Sequence, residues 1–501
     1  MDKEGFTLSK KLPIFYSAML LTGVNLLLRL VGTSFQVYLS SRIGAEGIGL
    51  LQLVLSVGSM ALVAGMTGIR TATMYLTAEE TGRNHHQNVP WVLSGSVLYS
   101  ILCSAVVGAA VYLFAPVLAE KWIGNVHTTD AIRLFAMFLP VNCLTGVMVG
   151  YFTGANRIVT LAAVEVAEQL CSMLCTILLL GFWAGHNPEK ACLAVVMGSG
   201  IGACMTLCAL TFLRLLDRST AGKRIPIAKR LSQTAIPLAL ADDLRTGITT
   251  IENLMVPKRL ALYSGTISPL ASFGIVCGMV FPILMFPASI LFGLTELLIP
   301  ELARCRAAGS QTRVSHLVQK SLRVALLYGV FCAGILYLAA SELCETLYNN
   351  PEAGSYLKMF SPLAVLLYCD AVTDAMIKGL GQQTASVRYN ILTNSMDVAF
   401  LYILLPRYGM TGYFISFLIT HLLNFYLSLR RLLKITGEKI PLRIPILTFI
   451  AAAGSIWACG FVTFPVARCA AFLTILICLL FLLRILTKED IVWIKGLIYK
   501  K

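Results

Sequence analysis

The feature that most restricts the fold of this chain is a series of about fourteen apolar runs. A transmembrane helix needs roughly 20 predominantly apolar residues. The whole chain is 57% hydrophobic and only 13% charged, with a mean hydropathy of +0.78, so it cannot cover a water-soluble surface. The sequence therefore predicts an all-α integral membrane protein and excludes a large soluble enzyme. The runs occupy residues 12–40, 48–77, 89–118, 131–152, 158–183, 190–213, 233–260, 268–300, 321–341, 355–378, 386–405, 410–430, 443–463 and 467–486.

The basic residues predict the orientation of these spans. An even number of spans puts both termini on one side of the membrane. With the termini inside, 28 of the 40 Lys and Arg residues lie at the inner side and 9 at the outer side. The remaining three, Arg29, Arg70 and Arg245, lie within spans. We therefore expect a multi-pass protein of the bacterial plasma membrane with both termini cytoplasmic. The net charge of +15 sits in short loops, which argues against nucleic acid as a partner.

A weak internal repeat with a spacing of 225 residues divides the chain. Six spans separate the two copies, so both have the same orientation, and parallel repeats of this kind place a substrate site between the halves. We expect an N-lobe of six spans at 1–213, a basic cytoplasmic linker at 214–232 and a C-lobe of six spans at 233–432. Two extra helices and a cytoplasmic C-terminus follow at 433–501. The matched residues are Tyr38 with Tyr263, Glu120 with Glu345, Asn125 with Asn350, and Gly154 with Gly379.

The first span carries a polar stripe around Arg29. An ionisable side chain in mid-membrane costs several kcal/mol, roughly 2.5–3.5 on insertion scales, so its position is a functional signal. Steps of three and four residues place the polar and small positions on one side of the helix. The stripe is interpreted as a cavity wall, and the alternative is a packing seam in which Arg29 pairs with a carboxylate. Its members are Thr22, Asn25, Arg29, Gly32, Thr33 and Gln36.

The seventh span carries a second charged stripe. Asp242, Arg245, Thr249 and Glu252 share one side of the helix, and Asp243 lies beside them. Asp242 and Arg245 can pair within one turn. Glu252 lies about two turns nearer the outside and has no obvious partner on its own helix. The alternative interpretation is a salt bridge that fixes helix packing.

Other charges lie in spans 2, 8 and 10. Arg70 and Glu296 occupy matching places in the two halves, and an ion pair between them is predicted as either an inner gate or a static strut. Asp370 and Asp374 follow i, i+4 spacing and are candidates for coupling to H⁺ or Na⁺, although near the inner end they could equally be hydrated. Asp397 lies in span 11.

Enzyme signatures are absent from the sequence. No HExxH, GxSxG, P-loop or Rossmann pattern stands in a suitable context, so no catalytic residue, metal or cofactor is expected. The glycine-bearing stretch RIGAEGIG at 42–49 has no strand before it. It is interpreted as a tight turn that admits close helix packing.

Four segments resemble the stage V sporulation protein B-like polysaccharide exporters of the multidrug/oligosaccharidyl-lipid/polysaccharide (MOP) flippase superfamily. The likeness extends over nearly the whole chain in topology. Related groups are the MurJ-type lipid II flippases, the Wzx-type oligosaccharide flippases and the MATE transporters. The similar segments are RLVGTSFQVYLSSRIGAEGIGLLQL (29–53), TTIENLMVPKRL (249–260), FPASILFGLTELLIPELARCRAAG (286–309) and GLGQQTASV (379–387).

The resemblance implies two six-helix lobes around a central cavity with alternating access to a polyprenyl-diphosphate-linked sugar. Arg29 matches the first arginine of the span 1 motif of lipid II flippases. Phe35 stands where those proteins have their second arginine, which argues against lipid II itself as the substrate.

Arginines within the spans are suited to such a substrate, because guanidinium groups bind diphosphate oxygens through bidentate hydrogen bonds. We expect a flippase that works as a monomer among membrane lipids and carries a lipid-linked sugar. The expected substrate-binding residues are Asn25, Arg29, Arg70, Arg245 and Glu252, and those for gating or charge balance are Asp242, Asp243 and Glu296.

Two alternatives stay open. A MATE-type cation-coupled multidrug antiporter would need unpaired cavity carboxylates and few arginines. A polytopic membrane glycosyltransferase or acyltransferase would need catalytic Asp or His residues in sizeable extramembrane loops.

Overall fold

The computed structural model describes residues 14–83, 85–185, 187–216, 227–265, 268–438 and 443–486. It confirms the all-α class, since these residues contain no β-strand. The helices are α1 (Ile14–Met66), α2 (Ile69–Gly82), α3 (Val89–Val117), α4 (Thr129–Gly154), α5 (Ile158–Leu179), α6 (Pro188–Leu216), α7 (Ala228–Leu260), α8 (Pro269–Ile275), α9 (Phe281–Met285), α10 (Ala288–Ala307), α11 (Gln311–Leu338), α12 (Ala340–Tyr348), α13 (Pro351–Phe360), α14 (Leu363–Gly379), α15 (Gln383–Thr436), α16 (Arg443–Cys459) and α17 (Pro465–Leu482).

Two helices are too long to be single straight spans. α1 has 53 residues and α15 has 54, which at 1.5 Å per residue is about 80 Å against a hydrocarbon core of about 30 Å. Each is broken at a glycine with positive φ, Gly44 (φ 70°) in α1 and Gly409 (φ 57°) in α15. Only glycine adopts such angles readily, so these two residues separate consecutive spans. Gly44 lies in the glycine stretch 42–49, where the sequence predicts a turn.

The number of membrane spans is bounded by helix length and hydropathy. Eight helices of the described residues are long and apolar enough to cross a membrane, or up to ten if each of two bent pairs forms one span. α1 and α15 are within this count, and each contains two of the predicted apolar runs on either side of its glycine break. The total of fourteen stays a prediction.

The chain divides into two compact units. Unit 1 comprises the residues up to Gly278 together with Asn390–Tyr413, and unit 2 comprises Met279–Tyr389 with the residues from Phe414 onward. Unit 1 therefore holds α1 to α8 and the middle of α15. The lobe boundaries proposed from the sequence, at residues 213 and 232, stay a prediction.

The internal repeat is visible in helix caps. Asn125 and Asn350 have nearly the same backbone angles, φ −139° and ψ 109° against φ −134° and ψ 104°. Each side chain accepts a backbone N–H of the turn that follows, from His127 and Ala353 respectively. Caps of this kind satisfy N–H groups that have no partner within the helix.

The repeat also extends to helix contacts within each unit. A Cβ added to Gly154 would lie 2.6 Å from the carbonyl oxygen of Met74, and one added to Gly379 would lie 2.9 Å from that of Ile299. Both members of the second pair stand 225 residues after those of the first. Equivalent helices therefore approach each other at the equivalent point in both copies of the repeat.

Close packing in unit 1 depends on glycines in α1 and α8. A Cβ on Gly49 would lie 2.2 Å from the carbonyl oxygen of Leu270, and one on Gly274 would lie 2.1 Å from that of Ala45. The predicted role of the glycine stretch 42–49 in close helix packing is thus confirmed. This contact fixes the second half of α1, against which α7 also packs.

Candidate functional site

The polar stripe of the first span faces α5. Arg29 is half-buried, and its backbone carbonyl accepts the Thr33 hydroxyl at 2.8 Å. A Cβ on Gly32 would lie 3.7 Å from Nε2 of Gln169 in α5, so this side of α1 lies next to α5. The side chain of Asn25 lies outside the described residues. The proposed cavity wall thus has a polar neighbour helix.

Arg70 lies beside carboxylates of α5 that the sequence interpretation missed. Its guanidinium is exposed, and it attracts the Glu165 carboxylate electrostatically. One turn further on, Glu168 accepts the Thr206 hydroxyl at 2.8 Å. The sequence contains a signal that could have revealed them, because the two carboxylates follow i, i+3 spacing within an apolar run. The predicted partner Glu296 has its side chain outside the described residues, so an Arg70–Glu296 pair stays a prediction.

The charged stripe of α7 is divided by burial. Asp242, Arg245 and Thr249 are exposed, whereas Glu252 is buried. The Asp242–Arg245 ion pair that the spacing allows is not formed: the described part of the chain contains no salt bridge of either residue, and both are exposed. Asp243, beside them, is half-buried, and its Oδ1 has no hydrogen-bond partner among the described residues.

Glu252 belongs to a buried polar cluster in unit 1. Its carboxyl group interacts with that of Asp397, which is buried as well. Tyr413 is 1% exposed, and its hydroxyl lies 4.0 Å from the Cys277 sulfur. Both groups interact electrostatically with Glu252. Two carboxyl groups form a hydrogen bond only when one of them is protonated, because an ionised carboxylate has no donor. A hydrogen bond between Glu252 and Asp397 would therefore need one proton shared between the two helices.

A charged network joins the end of α2 to the start of α7. Arg230 donates from Nη1 to Glu80 and from Nη2 to Glu79, both at 2.8 Å. Asn88 donates to the other oxygen of Glu80 at 2.8 Å, and Arg83 pairs with Glu79 at 2.8 Å. Glu80 is only 3% exposed. We call Glu79, Glu80 and Arg230 the α2–α7 latch, because the forked guanidinium fastens two helices that are far apart in sequence.

Removing the guanidinium of the latch is expected to destabilise the protein. Arg230→Ala leaves the buried Glu80 carboxylate without its main cation, and breaking a buried pair costs about 3–5 kcal/mol. Arg230 is 36% exposed, so solvent screening lowers the expected loss to about 1–3 kcal/mol. The thermal midpoint of detergent-solubilised protein, followed by circular dichroism, should fall by several degrees.

The neighbouring residue provides a control for the latch. Lys229 is exposed, so Lys229→Ala should leave the midpoint unchanged. In the double variant Glu80→Gln/Arg230→Ala, the loss should be smaller than the sum of the two single losses. Additive losses, or an equal effect of Lys229→Ala, would contradict the latch.

In unit 2 the two aspartates proposed for ion coupling have separate partners. Both oxygens of Asp370 accept from the Asn424 amide, at 3.1 and 2.9 Å, and His421 Nδ1 lies 3.8 Å away. Asp374 forms an ion pair with Lys378 at 2.6 Å and accepts a hydrogen bond from Ser386. Lys378 already balances the charge of Asp374. Their role in ion coupling stays a prediction.

Comparison with solved structures gives the fold of the chain. The chain superposes with a TM-score of 0.67 and 14% identity on an inward-facing MATE family multidrug resistance transporter of the MOP superfamily, covering 84% of this chain and 100% of that one. It superposes equally well, at 9% identity, on the lipid II flippase MurJ in an inward closed conformation, covering 92% and 98%. The fold is therefore that of MOP superfamily transporters.

Sequence comparison names a relative. The chain is 23% identical over 475 residues to stage V sporulation protein B of Bacillus subtilis (strain 168), covering 91% of this chain and 89% of the relative. No family model matches the chain. The chain is thus a homologue of stage V sporulation protein B, and the resemblance noted in the sequence is confirmed.

Proposed function

We propose that the protein is a flippase that moves polyprenyl-diphosphate-linked oligosaccharide or peptidoglycan precursors across the bacterial plasma membrane by alternating access. It acts as a transporter and not as an enzyme. It works as a monomer, with both termini in the cytoplasm. Likeness in fold to MurJ and homology to a sporulation protein support this function.

The observation that carries the proposal is the set of three arginines within helices of unit 1. Arg70 and Arg245 are exposed, and Arg29 is half-buried on the polar stripe of α1. A charge at membrane depth is costly and is typical of a substrate or ion pathway. An anionic headgroup of the substrate would bind to these cations.

The substrate poses a desolvation problem that the arginines address. A sugar diphosphate loses its water in about 30 Å of hydrocarbon. Forked guanidinium groups replace that water with bidentate hydrogen bonds to phosphate oxygens. The lipid tail stays in the bilayer while spans 1–6 rock against spans 7–12. In this mechanism Asn25 contacts the substrate, and Asp242, Asp243 and Glu296 balance charge or gate the path.

Energy for the cycle would come from a proton held by the Glu252–Asp397 pair. A shared proton neutralises one of the two carboxyl groups, so its loss leaves two like charges side by side in a buried place. Such a change alters the packing of α7 against α15 and therefore couples proton transfer to helix movement. Asp370, bonded to Asn424 and close to His421, is a second candidate.

A MATE-type multidrug antiporter is the second candidate function. The Glu252–Asp397 pair and the fold shared with a MATE transporter favour it. Three arginines in the spans of unit 1 favour an anionic substrate over a cationic drug.

Reconstitution distinguishes the two functions. Purified protein is placed in liposomes with a fluorescent undecaprenyl-diphosphate-linked oligosaccharide, and a membrane-impermeant reductant reports how much label lies in the outer leaflet. We expect label of the inner leaflet to become accessible at least ten-fold faster than in protein-free liposomes. A rate equal to that of protein-free liposomes, with proton-driven efflux of a cationic dye, would favour the antiporter.

A further inference from the structure

An apolar groove of about 350 Å³ lies between α3 and α4 in unit 1. Ala105, Gly108 and Ala109 form one wall, and Ala136 and Pro140 contribute to the other. Small residues leave the groove open, and Leu113 and Met137 at its edge are strongly exposed. The groove therefore opens sideways, in the direction of bilayer lipid around a membrane protein.

The backbone of α4 shapes this groove. Pro140 lies inside the helix and has no N–H, so it cannot donate to the carbonyl of Ala136. That carbonyl oxygen would lie 3.2 Å from a Cβ on Gly108, so α3 comes close to α4 at this point. The aliphatic hydroxyl in the lining, that of Ser104, donates to the carbonyl of Ile101 at 3.3 Å. The surface left for a ligand is almost entirely hydrocarbon.

A cation stands at one end of the groove. Tyr112 lines the groove, and the guanidinium carbon of Arg133 lies 5.5 Å from the centre of its ring. Nε of Arg133 is buried and has no hydrogen-bond partner among the described residues. No carboxylate in the described part of the chain forms an ion pair with Arg133, although Asp130 precedes it by one turn. The groove thus combines an apolar channel with a guanidinium whose Nε has no hydrogen-bond partner among the described residues.

An amphiphile with a negative head and an apolar chain matches both features. Guanidinium binds phosphate oxygens in a forked geometry, and a cation stacked on an aromatic ring keeps its edge free for this. A peptide segment would bring backbone N–H and C=O groups that the apolar lining cannot satisfy. We propose that the α3–α4 groove binds one acidic phospholipid, with its phosphate on Arg133 and one acyl chain along Ala105 and Ala109. This site is independent of the proposed transport function.

Native mass spectrometry of the full-length protein from nanodiscs tests the site. The discs contain equal amounts of phosphatidylglycerol and phosphatidylcholine with distinguishable masses. We expect wild-type protein to retain phosphatidylglycerol about ten-fold more than phosphatidylcholine. Equal retention of the two lipids by the wild-type protein, a result that needs no variant, would overturn the proposal.

Two variants separate the head site from the chain site. Arg133→Gln should reduce the preference for phosphatidylglycerol about ten-fold, and Ala109→Phe, at an exposed position, should reduce retention of the lipid by filling the groove. Arg407→Gln removes an exposed arginine outside the groove and should change nothing. Wild-type retention by both Arg133→Gln and Ala109→Phe would assign the bound lipid to another surface.

Discussion

Removal of the Arg245 guanidinium is expected to abolish flipping of the lipid-linked sugar while leaving the amount of protein in the membrane normal. Arg245 is exposed on α7, and no carboxylate in the described residues neutralises it, so its charge is available to a ligand. Hydrogen bonds to charged groups contribute about 1.5–3 kcal/mol each. Loss of one forked contact to diphosphate therefore predicts a fall in the flipping rate of at least about 100-fold.

The conservative substitution sharpens this test. Arg245→Lys keeps the charge and loses the fork, so we expect activity between those of the wild type and Arg245→Ala. Arg304→Ala is a matched control, because Arg304 is exposed near the end of α10 and pairs with Glu301 at 3.6 Å. The readouts are the liposome assay and complementation of a flippase-depleted host. Wild-type rates in Arg245→Ala would remove this residue from the substrate site.

The parts of the fold that could be predicted from sequence are the local ones. Apolar runs and turn-forming glycines determine structure within a few residues of chain. The break in α1 at Gly44, for example, falls where the glycine stretch predicts a turn. The 225-residue repeat matches Asn125 with Asn350, and both cap the turn that follows in the same geometry. A cap depends on the residue type and its immediate neighbours, so a shared sequence gives a shared structure.

The pairing of charges could not be predicted in the same way. Asp242 and Arg245 have the spacing of a helix pair, but such a pair is worth only about 0.2–0.5 kcal/mol, too little to fix two side chains. The partners that form are distant: Arg230 bonds to Glu79, 151 residues away. Which side of a helix meets another is decided by packing of whole helices, and sequence spacing within one helix does not contain that information.

Two further residues of the candidate site could have been predicted from the sequence. Glu165 and Glu168 lie in an apolar run and follow the same spacing rule that drew attention to the stripe of α7. They are the carboxylates beside Arg70 and Thr206. A search for every ionisable residue in the spans, and not only for those on polar stripes, finds them.

Neutralising the Glu252–Asp397 pair is expected to uncouple transport from a proton gradient. In the proposed mechanism, one proton is shared between the two carboxyl groups, and its transfer changes the charge at a buried site. In the double variant Glu252→Gln/Asp397→Asn, the side chains remain polar and similar in size but carry no titratable group. An imposed pH gradient should then change the flipping rate at least ten-fold less than in wild-type liposomes.

The single variants distinguish a shared proton from a simple binding role. Asp397→Asn leaves the Glu252 carboxylate beside an amide that can donate to it, so Glu252 no longer needs a proton to form the hydrogen bond. We therefore expect this variant to lose the gradient response almost as fully as the double variant, because the two groups act as one unit. Asp374→Asn is the matched control, since the charge of Asp374 is already balanced by Lys378, and it should keep the response. A full gradient response in the double variant would separate the Glu252–Asp397 pair from energy coupling, while the contribution of Arg245 to substrate binding would stand on its own measurement.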